Sequence, residues 1–212
     1  MRYRDAVEAL EQRRLVRGHS PLNWSADLHQ CIERWWGDNL RLVVSRPRTS
    51  KLGDFRFDQK TQMGVISINE DLSPFECLIT LAHELAHAHT LGSRPRCEPP
   101  HGRHWKATFG QYLVELSRCA SLPEKLRNAL HSHASNPLSS HTRDLTLMEI
   151  LGREKNDGRV SLRHLDTGCH FRFKSRIYEK LSHRRTRCLC RRLSDDTLYT
   201  LPLSAPVMQL SS

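Results

Sequence analysis

Residues 73–92, SPFECLITLAHELAHAHTLG, constrain this chain more than any other stretch. Ser73, Pro74 and Glu76 carry the signature of a capping box with proline at the first helical position. The Ser73 hydroxyl would accept from the Glu76 amide while the Glu76 carboxylate reaches back to the amide of Ser73. Leu91-Gly92 supplies the stop, leaving about five turns between the two signals. Leu78, Ile79, Leu81, Ala82, Leu85, Ala86 and Ala88 leave almost no polar face, so the predicted helix is buried.

A buried helix that carries His83, Glu84 and His87 needs something to neutralise its carboxylate, because an unpaired buried charge is costly. His83 and His87 stand four apart, which stacks two imidazoles on one face about 6 Å apart along the axis. The spacing suits two ligands of a tetrahedral zinc, with Glu84 beside them as general base for a water that zinc would acidify. A His-rich helix bonded only to carbonyls is the rival. A third ligand favours the metal. In CEPPHGRHWK, residues 97–106, Pro99-Pro100 keep the chain extended and place His101 at the mouth of a second helix. His104 is the rival third ligand, one turn later. His89 points about 240° away from His83 around the first helix. Cys97, Glu98 and Glu115 are lesser candidates.

HELAHAH followed by PHGRHWKATF resembles the SprT-like zinc metalloproteases, bacterial and Spartan-type. They pair His-Glu-x-x-His with a later His-Gly-x-x-(Trp or aromatic). The resemblance spans roughly residues 25–150 and implies zinc on His83, His87 and His101, with Glu84 as the catalytic residue. Gly102 and Trp105 match the remaining motif positions, and His104 falls where relatives often have an acid. Many relatives end in a zinc ribbon, and some bacterial ones in a basic β tail.

Charge and cysteines bound the rest. Lys and Arg number 33 against 23 acids, a net charge of +10. Residues 151–212 carry +7 of it, which favours polyanionic partners such as DNA. Arg184, Arg185, Arg187, Arg191 and Arg192 form the densest cluster and are the candidate phosphate contacts. Arg46, Arg48 and Lys51 form a lesser basic loop. Seven scattered cysteines suggest no disulfide framework, and no run approaches the roughly 18 apolar residues of a membrane span. A cytoplasmic protein with reduced thiols, able to sit on the nucleoid, is the expectation.

Along the chain, residues 2–17 read as a peripheral, fraying helix with Tyr3, Val7 and Leu10 on one stripe. Residues 25–36 read as a core helix through Leu28, Cys31, Ile32, Trp35 and Trp36. Leu40–Ser45, Phe55/Phe57 and Val65–Ile68 read as a small antiparallel sheet whose edge can take a substrate peptide, by analogy with zinc proteases. The helix after His101 buries Trp105, Phe109, Tyr112, Leu113 and Leu116. Another starts near Ser121-Pro123-Glu124 and turns Leu126, Ala129 and Leu130 inward. Residues 131–144 read as a linker and 145–151 as one or two turns. Short alternating runs from Val160 to Leu203 predict a small antiparallel sheet or half-barrel with Pro202 and Pro206 near an edge. Cys188 and Cys190, two apart on one strand face, lack the spacing of a ribbon.

The expected fold class is α+β: a zincin-like helical core with a small antiparallel sheet, then a small all-β C-terminal domain. The expected divisions are 1–24, 25–130, 131–152 and 153–212. The expected function is a zinc-dependent endopeptidase, binding one Zn2+ and acting on protein associated with or crosslinked to DNA. A nucleic-acid-binding or adaptor protein with a structural zinc is the alternative.

Overall fold

The computed structural model describes residues 2–48, 51–93, 95, 97–138, 147, 150–151, 159–203 and 205–210. The chain divides into two compact units, Met1–Leu147 and Met148–Ser212, and is mixed α+β.

The first unit runs α1 (Tyr3–Val16), α2 (Ala26–Trp35), β1 (Leu40–Ser45), β2 (Gly53–Asp58), β3 (Met63–Asn69), α3 (Pro74–Thr90), α4 (Arg103–Ser117) and α5 (Glu124–Ala134). At the start of α3 both halves of the capping box form, Glu76 N donating to Ser73 Oγ at 3.4 Å and Ser73 N to Glu76 Oε2 at 3.1 Å. Every residue from Glu76 to Ala86 is buried, as an apolar circumference demands. Helix α4 buries Trp105, Phe109, Tyr112, Leu113 and Leu116. From α2, Trp35 stacks on Tyr112 with ring centroids 4.0 Å apart and donates to Glu115 at 3.0 Å, while Trp36 is half-buried near Tyr3.

The sheet differs from the expected antiparallel one. Its order is β1-β3-β2, with β2 antiparallel to β3 but β1 parallel to it. Residues 59–62 close a tight β2–β3 hairpin, whereas residues 46–62 are long enough to bring β1 in on the far side of β3, a crossover that parallel pairing requires. Asn69, at the end of β3, holds the crossing loop. Its side-chain amide donates to Arg48 O and Lys51 O at 3.1 Å each, and its carbonyl accepts from Arg48 Nε at 2.8 Å.

Two other segments depart from expectation. Helix α1 belongs to the first unit and packs on β1, burying Tyr3, Ala6, Val7, Leu10 and Arg14. Arg14, 1% exposed, donates to Glu70 O at 2.9 Å and Ser20 O at 3.0 Å. A buried guanidinium bonded to two carbonyls pins the helix rather than letting it fray. Helix α5 runs on through Ala134, so 131–134 are not linker. Residues 139–146, 148–149 and 152–158 lie outside the described residues, and most of the remaining linker with them.

The second unit is a six-stranded antiparallel sheet, β4 (Arg159–Ser161), β5 (His170–Phe173), β6 (Arg176–His183), β7 (Arg187–Arg192), β8 (Leu198–Pro202) and β9 (Pro206–Gln209), ordered β4-β9-β5-β6-β7-β8. Pro202 ends the edge strand β8, while β9 lies between β4 and β5. Phe171, Tyr178, Cys188, Cys190 and Val207 are buried on one face, along with Leu162, Leu165 and Leu203. Lys180 is buried there too, its Nζ donating to Leu162 O at 3.1 Å and Leu165 O at 2.5 Å. No described helix is long and apolar enough to cross a membrane.

Candidate metal centre

Helix α3 supplies two imidazoles and the turn before α4 a third. His83 Nε2 lies 3.3 Å from His87 Nε2, His87 Nε2 3.0 Å from His101 Nε2, and His101 Nε2 3.2 Å from His83 Nε2. Zinc with three imidazoles at about 2.0–2.1 Å in tetrahedral geometry separates the nitrogens by about 3.3 Å. The triangle therefore has the size of one face of such a coordination sphere. Three ring nitrogens aimed at one point fit a cation far better than they fit each other. These three histidines are the group able to hold a metal ion among the described residues.

Trp105, fully buried, is the floor of the triangle. Its ring centroid lies 4.6 Å from His83, 5.4 Å from His87 and 4.6 Å from His101, and its Nε1 donates to His83 O at 3.4 Å. One indole thus fixes the attitude of all three imidazoles and bonds the helix that carries two of them, the kind of support that orients metal ligands.

Glu84 is buried beneath strand β2. Burial, aided by the charge of Asp54, pushes its pKa up to about 8, against the lowering influence of the Phe55 amide. Arg48 and Lys51 also act to lower it. A Cβ built on Gly53 would stand 2.6 Å from Thr80 Cγ2 and 2.7 Å from Glu84 Oε1, so β2 approaches α3 this closely only because residue 53 has no side chain.

Residues 39–108 match the Peptidase_M78 family model, the IrrE N-terminal-like domain. This is a zinc-metallopeptidase-like family, and the matched span takes in β1 to β3, α3 and the first turns of α4. No curated protein and no solved structure matches the chain. The Peptidase_M78 match covers Glu84 and all three histidines, and it accords with a metallopeptidase-like function built on a three-histidine site.

The lesser ligand candidates, His104, His89 and Cys97 inside the matched span and Glu115 beyond it, have other work. His104 Nδ1 lies 2.5 Å from Glu98 Oε2, and His104 N donates to Glu98 Oε1 at 2.9 Å. The two occupy each other outside the triangle. His89 Nδ1 meets Tyr112 Oη at 2.6 Å, Cys97 is exposed, and Glu115 accepts from Trp35 and Arg34. The second unit contributes no further metal group among the described residues.

The arginine cluster beyond the match divides into two. Arg184, Arg185 and Arg187 are exposed around the β6–β7 turn. Arg191 is paired with Glu179 at 2.6 Å, and Arg192 donates through Nε to Asp195 at 2.7 Å while lying over the Tyr199 ring. In the crossing loop, Arg48 donates through NH1 to Ser67 Oγ at 3.1 Å, Lys51 pairs with Asp54 at 2.9 Å, and Arg46 is exposed.

Sequence reasoning did not pick out Gly53 or the Phe55 amide as neighbours of Glu84. The one available signal was a glycine opening an otherwise alternating run, which marks close backbone approach.

Proposed function

We propose that the chain is a zinc-dependent endopeptidase of the SprT-like type that acts on proteins associated with or crosslinked to DNA. The observation that carries the peptidase reading is the Nε2 triangle of His83, His87 and His101, with edges of 3.0–3.3 Å. His83, His87 and His101 would hold the ion, which when bound supplies Lewis-acid polarisation of a carbonyl and acidifies water.

Everything else is done by the chain's own groups. Glu84, packed against Gly53 of β2, takes a proton from water and returns it to the leaving amine. Strand β2 is an edge of its sheet and runs directly over Glu84, so a substrate backbone can pair along it. Trp105 keeps water from the back of the imidazoles. Glu98 is engaged with His104 and Cys97 is exposed, which leaves a coordination place for solvent and favours a hydrolase over a purely structural metal. The SprT-like assignment within the broader metallopeptidase reading rests on the HELAHAH and PHGRHW motifs. The DNA part rests on the +7 charge of residues 151–212, which localises a protein without reading sequence.

The test is Glu84→Gln, which keeps the size and shape of the side chain. The variant should bind zinc at the wild-type ratio and lose about two to four orders of magnitude in cleavage of a DNA-bound protein. Unchanged cleavage by E84Q defeats the mechanism. Equal cleavage of a free peptide and the DNA-bound protein defeats the substrate assignment.

A further inference from the structure

The segment 98–104 is folded around one side chain that stays out of the histidine triangle. Glu98 N donates to Pro95 O at 3.0 Å and Gly102 N to Pro99 O at 2.9 Å, so two turns follow one another immediately before α4. The residue at the N-terminal boundary of α4, Gly102, has no side chain to cap the helix. Glu98 does that work instead. One of its oxygens accepts from His104 N at 2.9 Å and the other meets His104 Nδ1 at 2.5 Å. Its side chain is 13% exposed although it sits on the loop. A Cβ on Gly102 would fall within 2.7 Å of Glu98 Cδ and closer still to Cγ and Oε1, so Gly102 is the space into which Glu98 folds. Between the carboxylate and its anchor lies His101, whose Nε2 meets the triangle at 3.0 and 3.2 Å.

We propose that Glu98 is a positioning residue for the metal centre: by closing the 98–104 turn onto His104, it holds His101 in the triangle and so sets the affinity for the ion. The inference rests on the reading of His83, His87 and His101 as metal ligands. Glu98 bonds to His104 rather than joining the three imidazoles. Its leverage comes from the backbone, because a loop residue left to choose its own turn would present His101 over a range of directions. Groups that orient ligands without contacting the metal typically govern affinity by one to two orders of magnitude.

The experiment measures the dissociation constant for Zn2+ by competition with a chelating dye on the full chain. The unfolding midpoint of each metal-free variant controls for fold. Glu98→Ala should weaken zinc at least about tenfold, well beyond what the modest drop in the metal-free midpoint from losing the helix cap accounts for. Glu98→Gln, which keeps a carbonyl for the His104 amide, should stay close to wild type. Gly102→Ala should also weaken zinc by displacing Glu98, and in the double variant the two losses should not add, since removing Glu98 empties the space. Wild-type affinity in E98A, additive losses in the double variant, or a loss that only tracks a lowered metal-free midpoint would overturn the proposal. A wild-type chain that binds no zinc overturns the metal reading itself, a separate result.

Discussion

A Cβ on Gly53 would lie 2.7 Å from Oε1 of Glu84. Strand and helix are therefore in contact at the carboxylate proposed as general base, and Thr80 closes the other side at 2.6 Å. Gly53→Ala must push Glu84 or β2 aside, at a cost of about 1–3 kcal/mol. Urea unfolding should show that loss, and cleavage should fall further than stability alone explains, with zinc content intact.

Metal removal separates the two candidate third ligands. Chelation should lower the melting temperature, and added Zn2+ should restore it, by about 4 kcal/mol at about a thousand times Kd. His101→Ala should abolish the restoration. His104→Ala should still bind one zinc per chain, with lower affinity, because His104 lies outside the triangle but anchors Glu98.

Trp105 tests the floor of the site. Trp105→Ala removes a fully buried indole and should cost about 3–5 kcal/mol. Trp105→Phe keeps most of the packing but loses the bond to His83 O. It should fold and bind zinc more weakly, read by denaturation and dye competition.

Acid stability should report on Asp27. Hydrogen bonds from Ser25, then Ser121, lower its carboxyl pKa to about 2, tying α2 to the turn before α5. A folded pKa below the unfolded value of about 3.9 gives stability that is full above it and lost as pH falls through about 2. The melting-temperature gap between wild type and Asp27→Ala should be constant above pH 5 and shrink from pH 4 to pH 2.

The two halves of the arginine cluster should behave differently. Replacing Arg184 and Arg185 by Ala should weaken binding to single-stranded DNA and flatten its salt dependence by about two phosphate contacts. Replacing Arg191 should lower stability more than DNA affinity, because Glu179 already neutralises it. Fluorescence anisotropy against salt distinguishes them.

Local chemistry was legible, and pairing was not. The capping box, the apolar circumference and the i,i+4 histidines of α3 are contiguous in sequence, so the helix and its ligands could be read directly. Packing of α2 and α4 followed from helical spacing for the same reason. The β1–β3 pairing could not be read, since alternation says which face a residue takes but never which strand lies beside it. The burial of Arg14 could not be read either, since Glu70, whose carbonyl meets its guanidinium, is remote in sequence. Gly53 and Glu84 are likewise remote in sequence, and only the folded sheet brings them together.

The parallel pairing of Leu40–Ser45 with Met63–Asn69 also imposes a timetable. As the chain is synthesised, the first strand emerges with Leu40 and Leu42 and has helix α1 to pack on but no strand partner until the later hairpin has closed. Local hairpin closure is fast and long-range docking slow, so the last-made strand is the template and the first-made strand the guest. The cradle for Glu84 can therefore exist before the sheet that frames it is complete.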